Sequence, residues 1–266
     1  MAGPRRIVPM VTPQMLAAPA APAGAQLQYH GGKLLESVEV VPIYWGAFWA
    51  TAAGAQLSTQ IDGFFDFILT SSLIDLLAEY STPTMQIGRG QRLASVRIPN
   101  SEPGTIVGGV RQVTDAQLQQ ALQGWVTDGT VPAVTPNTLY FFYLPDGTVS
   151  VDGNTKSCQD YCGYHNHVNQ TLFYAVEPYI TCQGCSFGVI LDSLTKVSSH
   201  ELCEAITDPA LDAWWDPNTG DEIGDICNSS TARLGNYLIQ PQWSNAQGAC
   251  VVQPAAVAAA GHGAGS

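Results

Sequence analysis

Apolar positions recur along this chain with two different periods. Residues 37–45 (SVEVVPIYW) concentrate β-branched and aromatic side chains and predict a strand. Over 58–80 the period changes. Ile61, Phe64, Phe65 and Ile68, then Leu73, Leu76 and Leu77, recur at helical spacing, which predicts two helices or one kinked helix. A strand is predicted over 92–98. Thr114 ahead of Asp115-Ala116-Gln117 is an N-cap signal for a helix reaching about Trp125. Residues 138–144 (TLYFFYL) are a continuous apolar run of buried-strand length. Asp146-Gly147 follows as a turn, and 148–151 are placed to pair back as a hairpin. The segment from Cys158 to Cys185 carries few periodic signals. A last helix is predicted from about Ser193 to Asp208-Pro209, where proline disfavours continuation.

These elements predict a loop-rich α+β domain over residues 28–253. It is flanked by a Pro/Ala-rich leader or pro-segment over 1–27, expected to be unstructured, and a low-complexity tail over 254–266 that contains His262. Charged residues are only 12% of the chain, Gly and Pro number 26 and 17, and the net charge is -12. So acidic a chain, with 10 Lys and Arg, is predicted to bind neither nucleic acid nor an anionic membrane. No apolar run approaches the roughly 20 residues of a membrane-spanning helix.

Six of the seven cysteines fall at Cys158/Cys162, Cys182/Cys185 and Cys227/Cys250. Disulfides in a secreted protein are favoured over a structural zinc site, and Cys203 inside the last helix is expected to be a buried free thiol. Arg5, Arg6 and the small residues over 18–25 resemble parts of a secretory signal, although Pro9 and Pro13 interrupt its centre.

Chemistry concentrates in the last helix, at Ser199-His200-Glu201-Leu202-Cys203-Glu204. Residues four apart share a helix face, so His200 and Glu204 present a nitrogen and an oxygen side by side, with Glu201 one step round. The layout resembles the H-E-x-x-H helix of zinc peptidases with a carboxylate replacing the second histidine. A catalytic zinc needs a third protein ligand. Glu222, eighteen residues past Glu204, is the first candidate; Asp225, His165 and His167 are the others. Glu201 is the expected general base, and Tyr164 a candidate donor to the developing oxyanion. Two rival readings use neighbouring residues. Asp216, Asn218, Asp221 and Glu222 around Gly220 match a structural calcium loop. Trp214 and Trp215 offer a stacking platform for a glycan or an aromatic side chain, beside paired carboxylates of the glycosidase kind.

Several blocks in order resemble the EXORDIUM, or phosphate-induced protein, family. They are Tyr29-His30-Gly31-Gly32-Lys33-Leu34-Leu35, the strand ending Tyr44-Trp45-Gly46, Tyr161-Cys162-Gly163-Tyr164-His165, the segment from Ser199 to Pro209, and Glu222-Ile223-Gly224-Asp225-Ile226-Cys227. The resemblance implies an extracellular or cell-wall protein and places His165, His200, Glu201, Glu204, Glu222 and Asp225 in shared motifs. It carries no settled activity. The combined expectation is a secreted, zincin-like single domain with a mixed sheet and an active-site helix. It would cleave a peptide or protein substrate with Zn2+. The alternative is a non-catalytic extracellular protein that binds calcium or glycan.

Overall fold

The computed structural model describes residues 7–11 and 24–256. Its centre is a seven-stranded sheet. The strands are β1 (Ile7–Pro9), β2 (Glu39–Trp45), β3 (Gln91–Arg92), β4 (Val96–Ile98), β5 (Thr138–Tyr143), β6 (Tyr161–Val168) and β7 (Leu172–Glu177). Their order across the sheet is β1-β6-β7-β5-β2-β3, with β4 also on β2. The β2, β3, β4, β5 and β7 pairings are parallel, whereas β6 runs antiparallel to both β7 and β1. Helices α1 (Ala52–Ile68), α2 (Ser72–Leu77), α3 (Asp115–Asp128) and α4 (Ile190–Thr207) complete the frame.

Alternation along the strands builds two cores. Leu139, Phe141 and Tyr143 of β5 join Phe64 and Phe65 of α1 and Leu194, Val197 and Leu202 of α4 on one face. Tyr140, Phe142 and Leu144 join Leu118 and Leu122 of α3 on the other. A parallel strand covered on both faces needs no polar side, which is why residues 138–143 read as unbroken apolar sequence. The Thr114 cap is present as a full capping box with Gln117, and α3 ends at Gly129 in the left-handed region (φ +78°).

Two expectations need correction, and one segment without a sequence-based assignment proves to be sheet. Residues 148–151 do not fold back on β5, because both edges of β5 are taken by β2 and β7. The strand Thr148–Asp152 pairs instead with Val110–Thr114 and Thr155–Lys156 in a separate four-stranded sheet. The segment between Cys158 and Cys185, weak in periodicity, contains two sheet strands, β6 and β7. The leader expected to be unstructured over 1–27 includes β1, and Leu27 is buried in the core. The rest of the leader's cleavage-like zone up to residue 23, and His262 in the tail, lie outside the described residues.

Three disulfides, Cys158–Cys182, Cys162–Cys185 and Cys227–Cys250, close loops of 23–24 residues. Each such closure contributes about 3 kcal/mol in the chain-entropy picture. Bonds of this kind point to an extracellular or otherwise oxidising environment. Cys203 is a buried free thiol. Among the described residues no helix is long and apolar enough to cross a membrane.

Candidate metal centre

Helix α4 is buried along its length: every residue from Ser193 to Thr207 is covered. One side packs on β6 and β7, and Tyr237–Ile239 lies against it as well. The polar stripe of the H-E-x-x-E motif is therefore enclosed, and its groups must find partners inside the protein.

Those partners converge on Glu204. His200 Nε2 lies 2.8 Å from Glu204 Oε1, as the four-residue spacing predicts. The other oxygen of Glu204 is 3.6 Å from His165 Nδ1, and that nitrogen is 3.0 Å from Glu201 Oε2. His165 reaches the helix because residues alternate along β6. Tyr164 and Asn166 project to the α3 face and bond Asp115, while His165 projects to α4. From downstream, Asp225 Oδ1 approaches His200 Nε2 at 3.9 Å and Glu222 Oε2 approaches His165 Nε2 at 3.7 Å. Two donor groups result, His165/Glu201/Glu204 and His200/Glu204/Asp225, with Glu204 common to both.

The loop carrying Glu222 and Asp225 is locked onto the helix. The Asp225 N–H donates to Glu204 Oε1 at 3.1 Å, and the Glu222 N–H donates to Asp225 Oδ2 at 3.2 Å. Between them, Gly224 sits so close that a Cβ would fall 2.8 Å from His200 Cδ2 and 2.9 Å from Glu204 Oε1. On the far side of His200, Nδ1 pairs with Gln240 Oε1 at 3.1 Å, and Gln240 Nε2 donates to the Gly224 carbonyl at 2.6 Å. An amide oxygen there fixes the tautomer with its proton on Nδ1 and leaves Nε2 with its lone pair toward the cluster.

Charge in this enclosure is one-sided. Glu177, Glu201, Glu204, Asp208, Glu222 and Asp225 are all buried, against Lys196, His165 and His200. Burial is the main cause of every shift that follows. It pushes the Glu204 carboxyl up to about 8 and Asp208 up to about 7. Glu201, Glu222 and Asp225 are raised well above the usual carboxylate range by burial and then by Glu204. Glu177 is raised by burial and Glu201. Burial lowers His200 to about 3 and Lys196 to about 7, the latter against the pull of Glu201 and Glu204.

Several donor atoms at the cluster are buried and have no hydrogen-bond partner: His200 Nε2, Glu201 Oε1, Glu204 Oε2, both Glu222 oxygens and Asp225 Oδ1. Buried polar atoms are ordinarily paired, so this concentration of lone pairs fits a cation. A set mixing imidazole nitrogen with carboxylate oxygen suits zinc better than a calcium site built of oxygen alone.

The site thus brings together His165, His200, Glu201, Glu204, Glu222 and Asp225. Asp225 rather than Glu222 stands nearest His200. Tyr164, expected as an oxyanion donor, is on the opposite sheet face and donates to Asp115 Oδ1 at 3.0 Å. His167 accepts the Gln170 N–H in the β6–β7 turn. Trp214 and Trp215 form a two-stranded ladder with Gln28–Tyr29. Trp215 is stacked 3.6 Å from His30, which covers one face of the proposed platform, and Trp214 packs on Tyr29 and Tyr80. Two of the calcium-loop residues are engaged elsewhere. Asp216 accepts from the backbone of Gln26 and Asn218, and Glu222 faces His165. Gln240, Gly224, Glu177 and Lys196 escaped the sequence reading, whereas Asp208 lies on the same polar stripe of the helix as His200 and Glu204. Of those four, only Gly224, between two candidate acids, carried a usable signal.

The chain matches no protein-family model and no curated protein.

Proposed function

We propose that this chain is a zinc-dependent peptide hydrolase of zincin-like architecture, exported to an oxidising compartment and akin to the EXORDIUM proteins. One observation carries the reading: His200 Nε2, Glu204 Oε2 and Asp225 Oδ1 are buried together without hydrogen-bond partners, and Glu201 adjoins them on the same helix. His200, Glu204 and Asp225 would hold the ion, with Glu222 and His165 closing the cluster. When bound, zinc supplies Lewis acidity toward a peptide carbonyl and acidifies water.

The chain's own residues supply the rest. His165 Nδ1 at 3.0 Å holds Glu201 Oε2, which leaves Oε1 to take a proton from the attacking water. The same carboxyl then delivers that proton to the leaving amine. A carboxyl raised by burial and neighbouring acids keeps a proton more readily than an exposed one, as the second half of that cycle requires. Gln240 keeps the His200 ring oriented, and the Asp225 N–H fixes Glu204.

Complete enclosure of the cluster favours a second reading, a structural cation in a non-catalytic extracellular binding protein. Glu201→Gln separates the two. In a hydrolase the variant keeps stoichiometric zinc by elemental analysis and loses hydrolysis of a peptide library by at least a hundredfold. Purified wild-type protein without a stoichiometric transition metal would refute the first reading. Bound zinc with no turnover in the wild type would leave the second.

A further inference from the structure

Strand β1 adds to the edge of β6 and passes beside Glu201, and its surroundings are those of a bound peptide. Ile7 pairs with Tyr164, Val8 with Gly163 and Pro9 with Tyr161, all antiparallel, with an irregularity between Val8 and Pro9. On its other side the segment is held by groups outside the sheet. The Val11 N–H donates to the Gly184 carbonyl at 2.8 Å, and Asn228 Nδ2 donates to the Pro9 carbonyl at 2.8 Å. Asn228 is itself fixed by Lys196 Nζ of α4 at 2.9 Å. Gly184, at φ +91°, leaves room for the segment: a Cβ would fall 3.1 Å from the Val11 carbonyl and 3.2 Å from Met10 Cε. The Cys162–Cys185 disulfide ties β6 to the 184 loop, so the two walls of this groove are covalently joined. At its floor the Val8 N–H faces the Glu201 carboxylate, and the Val8 side chain is wholly buried.

We infer that Ile7–Val11 occupies this protein's own peptide-binding groove, and that the groove accepts an extended apolar segment, antiparallel to Tyr161–Tyr164, once residues 7–11 are removed or displaced. The inference rests on the peptide-hydrolase reading above and adds to it the substrate's conformation and a latent state. One general rule and three observations support it. A strand added to a sheet edge recognises backbone rather than sequence, with alternate side chains setting preference. The occupant is apolar, Ile-Val-Pro-Met-Val, and its side chains pack on both cores: Ile7 with one, Val8 and Met10 with the other. It is joined to the domain through residues 12–23, a stretch rich in Ala and Pro with no apolar period. It passes beside Glu201, the one acid of the cluster that the reading assigns to proton transfer.

The probe is a fluorophore-labelled peptide of residues 5–12, with binding followed by fluorescence anisotropy. The proteins are the full chain, a chain beginning at Gly24, and full-length Val8→Asp, which sets a carboxylate into an apolar pocket beside buried acids. The Gly24 chain is expected to bind the peptide saturably, the full chain at least tenfold more weakly, and Val8→Asp to regain binding. Equal binding by the full and shortened chains overturns the inference, as does a folded shortened chain that does not bind. If the shortened chain fails to fold, Val8→Asp decides by the same criterion: a folded variant without peptide binding overturns it. Zinc content and hydrolysis, measured on the same samples, report separately on the hydrolase reading. Peptide binding without zinc sinks that reading alone; zinc and turnover without peptide binding sink this inference alone.

Discussion

Replacing Gln240 by Met tests whether the cluster is built to present His200 Nε2 to a cation. Gln240 is wholly buried, and Met matches its length without its polar atoms. Two bonds disappear: the 3.1 Å contact with His200 Nδ1 and the 2.6 Å bond to the Gly224 carbonyl. Each leaves a buried group unsatisfied at about 1–3 kcal/mol, so the metal-free protein should lose about 2–4 kcal/mol after the apolar replacement is credited. Freed of its Nδ1 partner, the ring can adopt the other tautomer or rotate. Loss of an outer partner of a ligating histidine costs about 10–100-fold in metal affinity. The assay is competition for zinc against a chromophoric chelator, alongside thermal melts in chelator. Gln242→Met is the control. Its amide donates to the Gln240 and Ser199 carbonyls and touches no proposed ligand. It should lower the melting temperature while leaving zinc affinity within twofold. Gln240→Met with wild-type zinc affinity would refute the assignment of His200 Nε2 as a donor.

Two further predictions bear on the same cluster. Gly224→Ala puts a methyl group 2.8 Å from the His200 ring and should reduce zinc affinity at least tenfold with a modest fall in melting temperature; unchanged affinity would show that the loop gives way freely. In chelator, the protein should melt higher at pH 5 than at pH 7. Glu204 and Asp208 keep their protons to about 8 and about 7 when folded, whereas the unfolded chain releases them near 4, so stability is present at low pH and is lost as pH rises. His200, lowered to about 3, works the other way below its unfolded value but is one group against the raised acids, and Lys196 changes little below 7. Saturating zinc should reverse the order, because protons compete for the same carboxylates. A chelated protein that melts lower at pH 5 contradicts this balance.

Legibility in the sequence followed the source of each signal. Elements set by local chemistry were readable: the Thr114–Gln117 capping box, the leucine and phenylalanine spacing of α1 and α2, and the aromatic run of β5. His200, Glu201 and Glu204 were readable because helical spacing alone makes them neighbours. Partners that meet only through the fold were not. Strand β6, Tyr-Cys-Gly-Tyr-His-Asn-His-Val, lacks an apolar rhythm because it sends His165 to the cluster and Tyr164 and Asn166 to Asp115. Tyr164 was misplaced for the same reason: a one-residue step along a strand changes the face it serves. The hairpin expected after Asp146-Gly147 failed because turn chemistry fixes a reversal but not which strand edge is vacant. Gln240 and Glu177 are buried polar residues in otherwise unremarkable segments, and only their partners reveal them.

The composition of the cluster separates latency from metal loading. Six buried acids face three basic residues, and an uncompensated buried charge costs several kcal/mol, so the cluster must either keep protons or hold a cation. Residues 7–11 bring an N–H toward Glu201 but no charge, and none of the donors His165, His200, Glu204, Glu222 or Asp225 comes from them. Sealing the groove therefore leaves the charge problem to the ion, and opening it removes no ligand. On the proposed hydrolase reading and the strand inference together, a latent chain is already loaded. Its activation is the loss of a competing strand rather than the release of a ligand from the metal, and zinc content should be the same before and after residues 7–11 leave.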